Sequence, residues 1–230
     1  MEFFDRFLDI LFPPKCPFCG RVLDHPGVCP ACEEDLPWTV GAEALRTGPG
    51  GLRCAAPLWY EGLARDGILR FKFSGASGAA RPLGALIAQC AAEQFSGAFD
   101  TVTWVPVSRQ RLRKRGYDQA QLLAQAACRA WDTRPVALLE KTVDNPAQSG
   151  LQEAAARRAN VLGAYTASPA AAGKHILLID DICTTGATLV ECIRTLQEAG
   201  AADVICAALA LTRAKTEHAA ERDGGYPQEK

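Results

Sequence analysis

Two adjacent carboxylates and a run of small hydroxyl-bearing residues follow an apolar stretch in residues 176–188, "ILLIDDICTTGAT". A fully apolar run of this kind is typical of a central strand of a parallel sheet, because both faces of such a strand are buried. In these sheets, ligands bind beyond the carboxyl ends of the strands. The segment therefore predicts a ligand site just past the end of this strand.

The chemistry predicted for this site is recognition of a phosphorylated sugar. Gly186 suits a tight turn, and backbone N–H groups at the start of the following helix form a cradle for one phosphate. Asp180 and Asp181 stand where sugar hydroxyls or a magnesium-linked sugar are held, since carboxylates accept hydroxyl hydrogen bonds. The chain has no G-x4-G-K-[ST] loop, which disfavours a nucleotide triphosphatase. The alternative is a buried strand whose acids only cap the next helix.

A second cluster with metal-binding chemistry lies near the amino terminus. Cys16, Cys19, Cys29 and Cys32 form two C-x2-C pairs separated by nine residues. Two such pairs can complete a tetrahedral all-sulfur site, which zinc prefers in closed structural positions. Free thiols and disulfides are the less favoured alternatives. Because four sulfurs leave no open coordination position, we expect a structural Zn2+, and we interpret His25 as an exposed loop residue.

The remaining six cysteines have no metal-binding spacing. In apolar helical or strand contexts cysteine behaves as a small hydrophobe. Cys183 is interpreted as a filler in the loop after the two carboxylates, because no histidine close in sequence is placed to activate it. The six are Cys54, Cys90, Cys128, Cys183, Cys192 and Cys206.

The composition is that of an ordinary globular protein. The chain has 230 residues, of which 48% are hydrophobic and 22% charged, with a formal net charge of -1. Phosphate or nucleic-acid contacts must therefore come from a local patch. No apolar run reaches the roughly 18 residues that a membrane span needs, and no signal peptide is recognised, so the sequence predicts a cytoplasmic protein. Residues 1–12 predict an amphipathic helix packed on the protein, which we favour over a membrane-surface anchor.

Apolar runs alternate with helical patterns from residue 52 onward, which predicts an α/β fold with helices on both faces of a parallel sheet. The expected strands include residues 101–107 and 175–180, and the expected helices lie near 62–71, 79–95, 118–131, 152–160 and 187–200. We predict a helix and zinc module at 1–38, a linker at 39–51, a main domain at 52–213 and a charged, poorly ordered tail at 214–230.

The basic segment, residues 108–117 "SRQRLRKRGY", directly follows the predicted strand at 101–107. We expect a hairpin-like loop whose cations reach a pyrophosphate or a nucleic-acid backbone. A solvated basic loop is the alternative. Tyr117 could stack on a base, although a packing role is about as well supported. The cations are Arg109, Arg111, Arg113, Lys114 and Arg115.

The segment "ILLIDDICTTGATL" resembles the phosphoribosyl pyrophosphate motif of type I phosphoribosyltransferases: four apolar residues, two acids, two variable residues and T-T-G-A-T. The resemblance implies that Asp180 and Asp181 bind the ribose hydroxyls as catalytic residues, with Mg2+ accompanying the phosphoribosyl pyrophosphate. It also implies a mobile loop ahead of the motif strand, containing Gln148 and Arg157, that closes over the site. The residues implied around the 5'-phosphate are Thr184, Thr185, Gly186, Ala187 and Thr188.

The order of motifs along the chain resembles the ComF family of competence proteins. The resemblance rests on the amino-terminal helix, the four cysteines, "LRFKFSG", "RLRKRGYDQA", "Q..L.....R..N" and "LLIDDICTTGATL". It implies a role in DNA uptake during natural transformation, with single-stranded DNA and a competence helicase as partners. Asp118 stands where the family tends to have asparagine, and Val143 and Asn145 stand where it tends to have arginine and threonine.

Two functions follow from these features. The first is a competence factor that binds phosphoribosyl pyrophosphate and single-stranded DNA. The second is an active phosphoribosyltransferase of nucleobase or nucleotide metabolism, with no role on DNA. A purely structural adaptor is weaker, because it leaves the acid pair and the phosphate cradle unexplained.

Overall fold

The computed structural model describes residues 13–73, 77–143 and 162–213. The predicted helices at 1–12 and 152–160, the loop residues Gln148 and Arg157, and the tail at 214–230 lie outside the described residues. The strands are β1 (Leu45–Gly48), β2 (Leu52–Ala55), β3 (Leu58–Trp59), β4 (Thr101–Trp104), β5 (Leu139–Lys141), β6 (Tyr165–Ala167), β7 (His175–Cys183) and β8 (Asp203–Leu211). The α-helices are α1 (Pro30–Asp35), α2 (Gly62–Phe73), α3 (Ala80–Phe95), α4 (Arg109–Arg115), α5 (Gln119–Cys128) and α6 (Ala187–Glu198).

The main sheet has the strand order β1-β2-β8-β7-β4, with β3 also paired to β8. All of these pairs are parallel except β1 with β2. Strands β7 and β8 are central and almost wholly apolar, and residues 176–179 are completely buried. The two faces carry separate apolar clusters, one including residues of α2, α3 and α5 and the other residues of α6. The predicted α/β sheet with helices on both faces is confirmed.

Three predicted boundaries differ from the structure. The predicted strand at 175–180 continues to Cys183, so Asp180 and Asp181 lie within its last four residues and not beyond its end. The predicted strand at 101–107 ends at Trp104, because Pro106 has no N–H to continue the ladder. The predicted linker at 39–51 contains strand β1, whose Leu45 lies opposite Ala55 of β2. This strand is short, partly exposed and ends in glycine, so it carries no alternating apolar pattern from which it could be predicted.

Phe18 joins the cysteine module to the main domain. Its ring is completely buried, and it approaches α2 at Gly67, where a Cβ would lie 2.5 Å from the ring atom Cδ1 and 3.1 Å from the Pro17 carbonyl oxygen. Only a residue without a side chain permits this contact. The module is therefore packed directly on the helix that leads towards the acid pair.

We expect Phe18→Ala to destabilise the zinc-loaded protein by about 3–5 kcal/mol, because it removes a fully buried ring and leaves a cavity. Urea unfolding in the presence of zinc measures the change. Val22→Ala in the same module is the control, since that side chain is 56% exposed and its loss should cost about 0.5 kcal/mol or less. Equal effects of the two substitutions would contradict the anchoring role of Phe18.

Within the part of the chain that the structure describes, no helix combines the length and the apolar character needed to cross a membrane.

Candidate functional site

The acid pair lies at the carboxyl end of β7, where the sequence predicts a ligand site. Asp180 and Asp181 are half-buried, and the backbone N–H of Asp181 donates to Oδ1 of Asp180 at 2.8 Å. The ammonium group of Lys72, from the end of α2, lies 2.9 Å from Oδ2 of Asp181. The two carboxylates therefore share their surroundings with a cation from a helix more than 100 residues away in sequence.

The surroundings of Asp180 act on its ionisation. Burial of Asp180, together with the negative charge of Asp181, raises the pKa of the Asp180 carboxyl well above its ordinary value, although the Asp181 N–H and Lys72 oppose this rise. The sign follows from solvation, because burial disfavours the charged form of an acid and a neighbouring like charge disfavours it further. A cation or a hydroxyl donor placed beside Asp180 would therefore favour its ionised form.

The predicted phosphate loop, residues 184–188, follows β7 and includes the first two residues of α6. Thr184 and Thr185 are exposed, and Gly186 is buried at the amino end of α6 with φ +76. Arg46 of β1 holds the start of this loop: its guanidinium donates to the carbonyl oxygens of Cys183 at 3.1 Å and Thr184 at 2.5 Å, and to that of Thr212. The loop therefore exposes Thr184 and Thr185 beside the amino end of a 12-residue helix, and Arg46 fixes the position of its first residue.

If the loop binds ribose 5-phosphate, as the sequence predicts, Gly186→Ala should weaken that binding by roughly 5- to 100-fold, because the residue needs a left-handed conformation that costs alanine about 1–3 kcal/mol. The added Cβ would also lie 2.5 Å from Cδ2 of buried Leu52 and would push against the base of the loop. Calorimetric titration measures the loss. The matched control is Gly173→Ala, whose φ is +71 and whose Cβ would meet no atom within 4 Å. It should leave binding unchanged, and an equal loss in both variants would contradict the prediction.

The basic segment is a helix and not the predicted hairpin. Ser108 caps α4 by accepting a hydrogen bond from the Arg111 N–H at 3.3 Å, and Gly116 ends the helix with φ +81. Strand β4 pairs with β7, so that Trp104 lies opposite Ile179 and the Val105 N–H donates to the Ile179 carbonyl at 2.9 Å. The chain therefore leaves β4 towards α4 at the carboxyl end of the sheet, which is also where the acid pair lies.

The cations of α4 differ in their surroundings. Arg109 forms an exposed ion pair with Glu140 at 2.6 Å. Arg115 contacts Gln119 at 3.0 Å and lies over the Phe73 ring, 5.0 Å from its centroid. Arg113 and Lys114 are exposed and make no ion pair with any residue in the described ranges. These last two are the cations best placed to contact a polyanion in solution.

Tyr117 and Asp118 have structural contacts. The Tyr117 hydroxyl donates to the Phe71 carbonyl oxygen at 2.5 Å, which favours the packing alternative for this residue. Buried Asp118 accepts hydrogen bonds from the N–H groups of Gln121 at 3.1 Å and Val107 at 3.0 Å. Aspartate at this position is thus a helix cap that also fixes the chain after β4. Burial raises its pKa, although these N–H donors oppose the rise.

The four predicted zinc ligands converge. The Sγ atoms of Cys16, Cys19, Cys29 and Cys32 all lie within 4.8 Å of one another, and this is the only such group of possible metal ligands among the described residues. Three of the four side chains are buried. Burial opposes ionisation of Cys16, but N–H groups of Cys29, Cys19 and Phe18 donate to its sulfur and lower its pKa to about 7. The cluster therefore brings together the four sulfur ligands that a structural zinc site requires.

The remaining six cysteines are all buried, which the sequence predicts for those in apolar helical or strand contexts. Cys183 differs from its prediction in position, because it is the last residue of β7 and not a loop residue. A hydrogen bond from the Cys54 thiol and the nearby Arg46 guanidinium lower the pKa of Cys183 to about 7. Its burial, with 1% of the residue exposed, keeps it from acting as an accessible nucleophile.

Two further residues lie at this end of the sheet and are not among the predicted site residues. Lys72 lies within the motif "LRFKFSG", where a lysine between two phenylalanines at the end of an amphipathic helix is a signal that sequence alone provides. Arg46 was placed in a linker. Its contacts depend on the pairing of β1 with β2, which nothing in the local sequence indicates.

Comparisons with known proteins agree with these features. Residues 112–225 match the phosphoribosyl transferase domain, and residues 7–66 match the double zinc ribbon domain. The competence protein ComFC of Bacillus subtilis (strain 168) is 29% identical over 195 residues, which cover 81% of this chain and 73% of that protein. ComFC of Streptococcus pneumoniae is 37% identical over 44% of this chain and 43% of its own.

The chain is also similar to a DNA utilization protein and to a solved structure. The DNA utilization protein YhgH of Salmonella typhi is 27% identical over 82% of this chain and 80% of its own. The glutamine phosphoribosylpyrophosphate amidotransferase of B. subtilis has a TM-score of 0.40 at 24% identity, covering 61% of this chain and 27% of that one. The chain is thus a homologue of the competence protein ComFC and of the DNA utilization protein YhgH, with a double zinc ribbon domain ahead of a phosphoribosyl transferase domain.

Proposed function

We propose that this chain binds phosphoribosyl pyrophosphate at the carboxyl end of β7 and single-stranded DNA along α4, and that it acts in the cytoplasm in DNA uptake for natural transformation. The observation that carries the proposal is the arrangement of the acid pair and the phosphate loop on one strand end, with a basic helix leaving the neighbouring strand at the same edge. The relatives named as competence and DNA utilization proteins support the cellular role.

The ribose 5-phosphate would be held from two directions. Asp180 and Asp181 would accept hydrogen bonds from the vicinal hydroxyls, which are the donors that carboxylates bind well. Thr184, Thr185 and Thr188 would donate hydroxyl hydrogen bonds to the 5'-phosphate. Backbone N–H groups of the loop and the amino end of α6 would add their positive potential to this contact.

The acid pair fits Mg2+ by its donor set, because carboxylate oxygens are the ligands this ion prefers and it tolerates few protein ligands. One oxygen of Asp181 contacts Lys72, and one oxygen of Asp180 accepts the Asp181 N–H, so each carboxylate keeps a second oxygen for the ion. When bound, Mg2+ would neutralise charge on the pyrophosphate as it leaves. The residues of this chain would hold the sugar and its 5'-phosphate in place.

Calorimetric titration of phosphoribosyl pyrophosphate, with and without Mg2+, tests the proposal. We expect binding to the intact protein and its loss in the Asp180→Ala/Asp181→Ala variant, since both hydroxyl acceptors are removed. Asp203→Ala is the control, because that aspartate lies at the start of β8, at the opposite edge of the sheet from the acid pair. An intact protein that does not bind, or a double variant that binds normally, would overturn the proposed site.

An active phosphoribosyltransferase of nucleobase or nucleotide metabolism is the second candidate. The chain has both acids and the complete T-T-G-A-T loop, and transfer would need both of them, which favours this candidate. Here a nitrogen nucleophile would attack the anomeric carbon while cations stabilise the leaving pyrophosphate. Incubation of the protein and phosphoribosyl pyrophosphate with a panel of nucleobases should release pyrophosphate with one of the bases. No release with any base, in a protein that binds phosphoribosyl pyrophosphate, would reject turnover.

A further inference from the structure

Lys72 is a mostly buried cation with a carboxylate partner and no assigned function. Only 18% of its side chain is exposed, and only 17% of the side chain of Asp181, its partner at 2.9 Å. Removing two charges from water costs several kcal/mol per ion, and their attraction often does no more than offset that cost. Stability therefore gives a weak reason for a lysine at this position, and a role in binding a ligand gives a stronger one.

Hydrogen bonds to backbone carbonyl groups fix the position of Lys72. The Tyr117 hydroxyl donates to the Phe71 carbonyl at 2.5 Å, and Nε2 of Gln119 donates to the Lys72 carbonyl at 3.4 Å. These carbonyls belong to the last turn of α2, where a helix lacks internal donors and where its dipole favours a cation. Lys72 is therefore held at the acid pair by residues that directly follow the basic helix.

The geometry leaves Lys72 with donors to spare. An ammonium group has three N–H donors, and the contact with Asp181 uses one of them. In a ribose, the anomeric carbon is bonded to the carbon that carries the 2-hydroxyl. If the acid pair holds the two hydroxyls, a substituent on the anomeric carbon projects next to the same carboxylates, where Lys72 is the adjacent cation.

We propose that Lys72 recognises the phosphate group attached to the anomeric carbon, so that the site selects a 1,5-bisphosphorylated or 1-pyrophosphorylated ribose over ribose 5-phosphate. This inference rests on the proposed function, because it requires the acid pair to hold the ribose hydroxyls. It adds a specificity-determining residue from α2. Asp181 keeps the ammonium group in place before the ligand arrives, and the free N–H donors contact the phosphate oxygens.

The test compares two ligands, ribose 5-phosphate and phosphoribosyl pyrophosphate, titrated calorimetrically into the full chain in metal-free buffer. The readout is the ratio of their dissociation constants, which cancels any general weakening of the sugar site. Lys72→Met should reduce the preference for phosphoribosyl pyrophosphate by roughly 10- to 100-fold, the range expected for a lost hydrogen bond to a charged group. Lys72→Arg should keep most of the preference. Lys174→Met, which removes an exposed lysine before β7, should keep all of it.

A further variant separates recognition from charge repulsion. Lys72→Met alone leaves the Asp181 charge without its partner, which would repel a pyrophosphate indirectly. The Lys72→Met/Asp181→Asn variant removes that charge, and we expect the preference to remain low. Two results would overturn the role of Lys72 without contradicting the sugar site. One is a preference for phosphoribosyl pyrophosphate that is unchanged in Lys72→Met, and the other is a preference that returns in the double variant. If the unaltered protein binds neither ligand, the proposed function and this inference both fail.

Discussion

Removal of zinc is expected to unfold the cysteine module and to lower the thermal stability of the main domain. The four sulfurs lie within 4.8 Å of one another, so without a cation they cannot all be ionised, and the module has a single short α-helix, α1, of six residues among its described residues. In small zinc-binding peptides the metal supplies about 10–16 kcal/mol of folding free energy. We therefore expect one bound zinc per chain and an unfolded module without it.

The effect should reach the main domain through Phe18. When the module unfolds, this ring loses its contact with Gly67 on α2. The apolar cluster that α2 shares with α3 and α5 is then exposed to water where the ring had packed. The loss of such a ring costs about 3–5 kcal/mol, which corresponds to a decrease in melting temperature of roughly 10 °C for a chain of this size. The same helix carries Lys72, so zinc removal should also weaken ligand binding at the acid pair.

Three measurements test this expectation: metal content, melting temperature, and affinity for phosphoribosyl pyrophosphate, each before and after chelation. Cys16→Ser should reproduce chelation. Cys90→Ser is the matched control, because Cys90 is buried on α3 and belongs to no metal group. That variant should keep one zinc per chain. A Cys16→Ser protein with an unchanged melting temperature would show that the module and the main domain are independent.

The central architecture could be predicted from sequence because it is encoded locally. Strands β7 and β8 are continuous apolar runs, and α6 follows with an apolar face, so periodicity alone identifies them. The zinc ligands were predictable for a related reason, since paired cysteine spacing already specifies the geometry of each half of the site. The prediction of the acid pair at a strand end followed from the same local pattern.

The features that sequence analysis missed depend on contacts between distant segments. Lys72 meets Asp181 only because α2 and β7 end at one edge of the sheet, and Arg46 reaches Cys183 and Thr184 only because β1 pairs with β2. The hairpin prediction for the basic segment was wrong for a different reason. Its run of charges gives no amphipathic pattern, and the signals that define the helix are its ends, Ser108 and Gly116.

The structure also narrows which cations of α4 can be tested for DNA binding without disturbing the fold. Arg115 contacts Gln119 and the Phe73 ring, so its replacement would disturb the end of α2 as well as remove a charge. Arg113 and Lys114 are exposed and have no ion-pair partner among the described residues, so their loss should leave the fold unchanged. An Arg113→Gln/Lys114→Gln variant therefore isolates the charge of the basic helix.

We expect this variant to bind single-stranded DNA roughly 20-fold more weakly at about 0.1 M salt. Each phosphate contact on a single strand contributes about 0.7 to the slope of log affinity against log salt, so two lost contacts should reduce that slope by about 1.4. Fluorescence anisotropy of a labelled oligonucleotide over a salt series measures both quantities. Arg129→Gln/Arg134→Gln is the matched control, because it removes the same charge from exposed positions beyond the far end of α5. If both variants weaken binding equally, the DNA responds to net charge and α4 is not its binding surface. If only the α4 variant changes the slope, the basic helix forms part of the DNA site, at the same edge of the sheet as the acid pair.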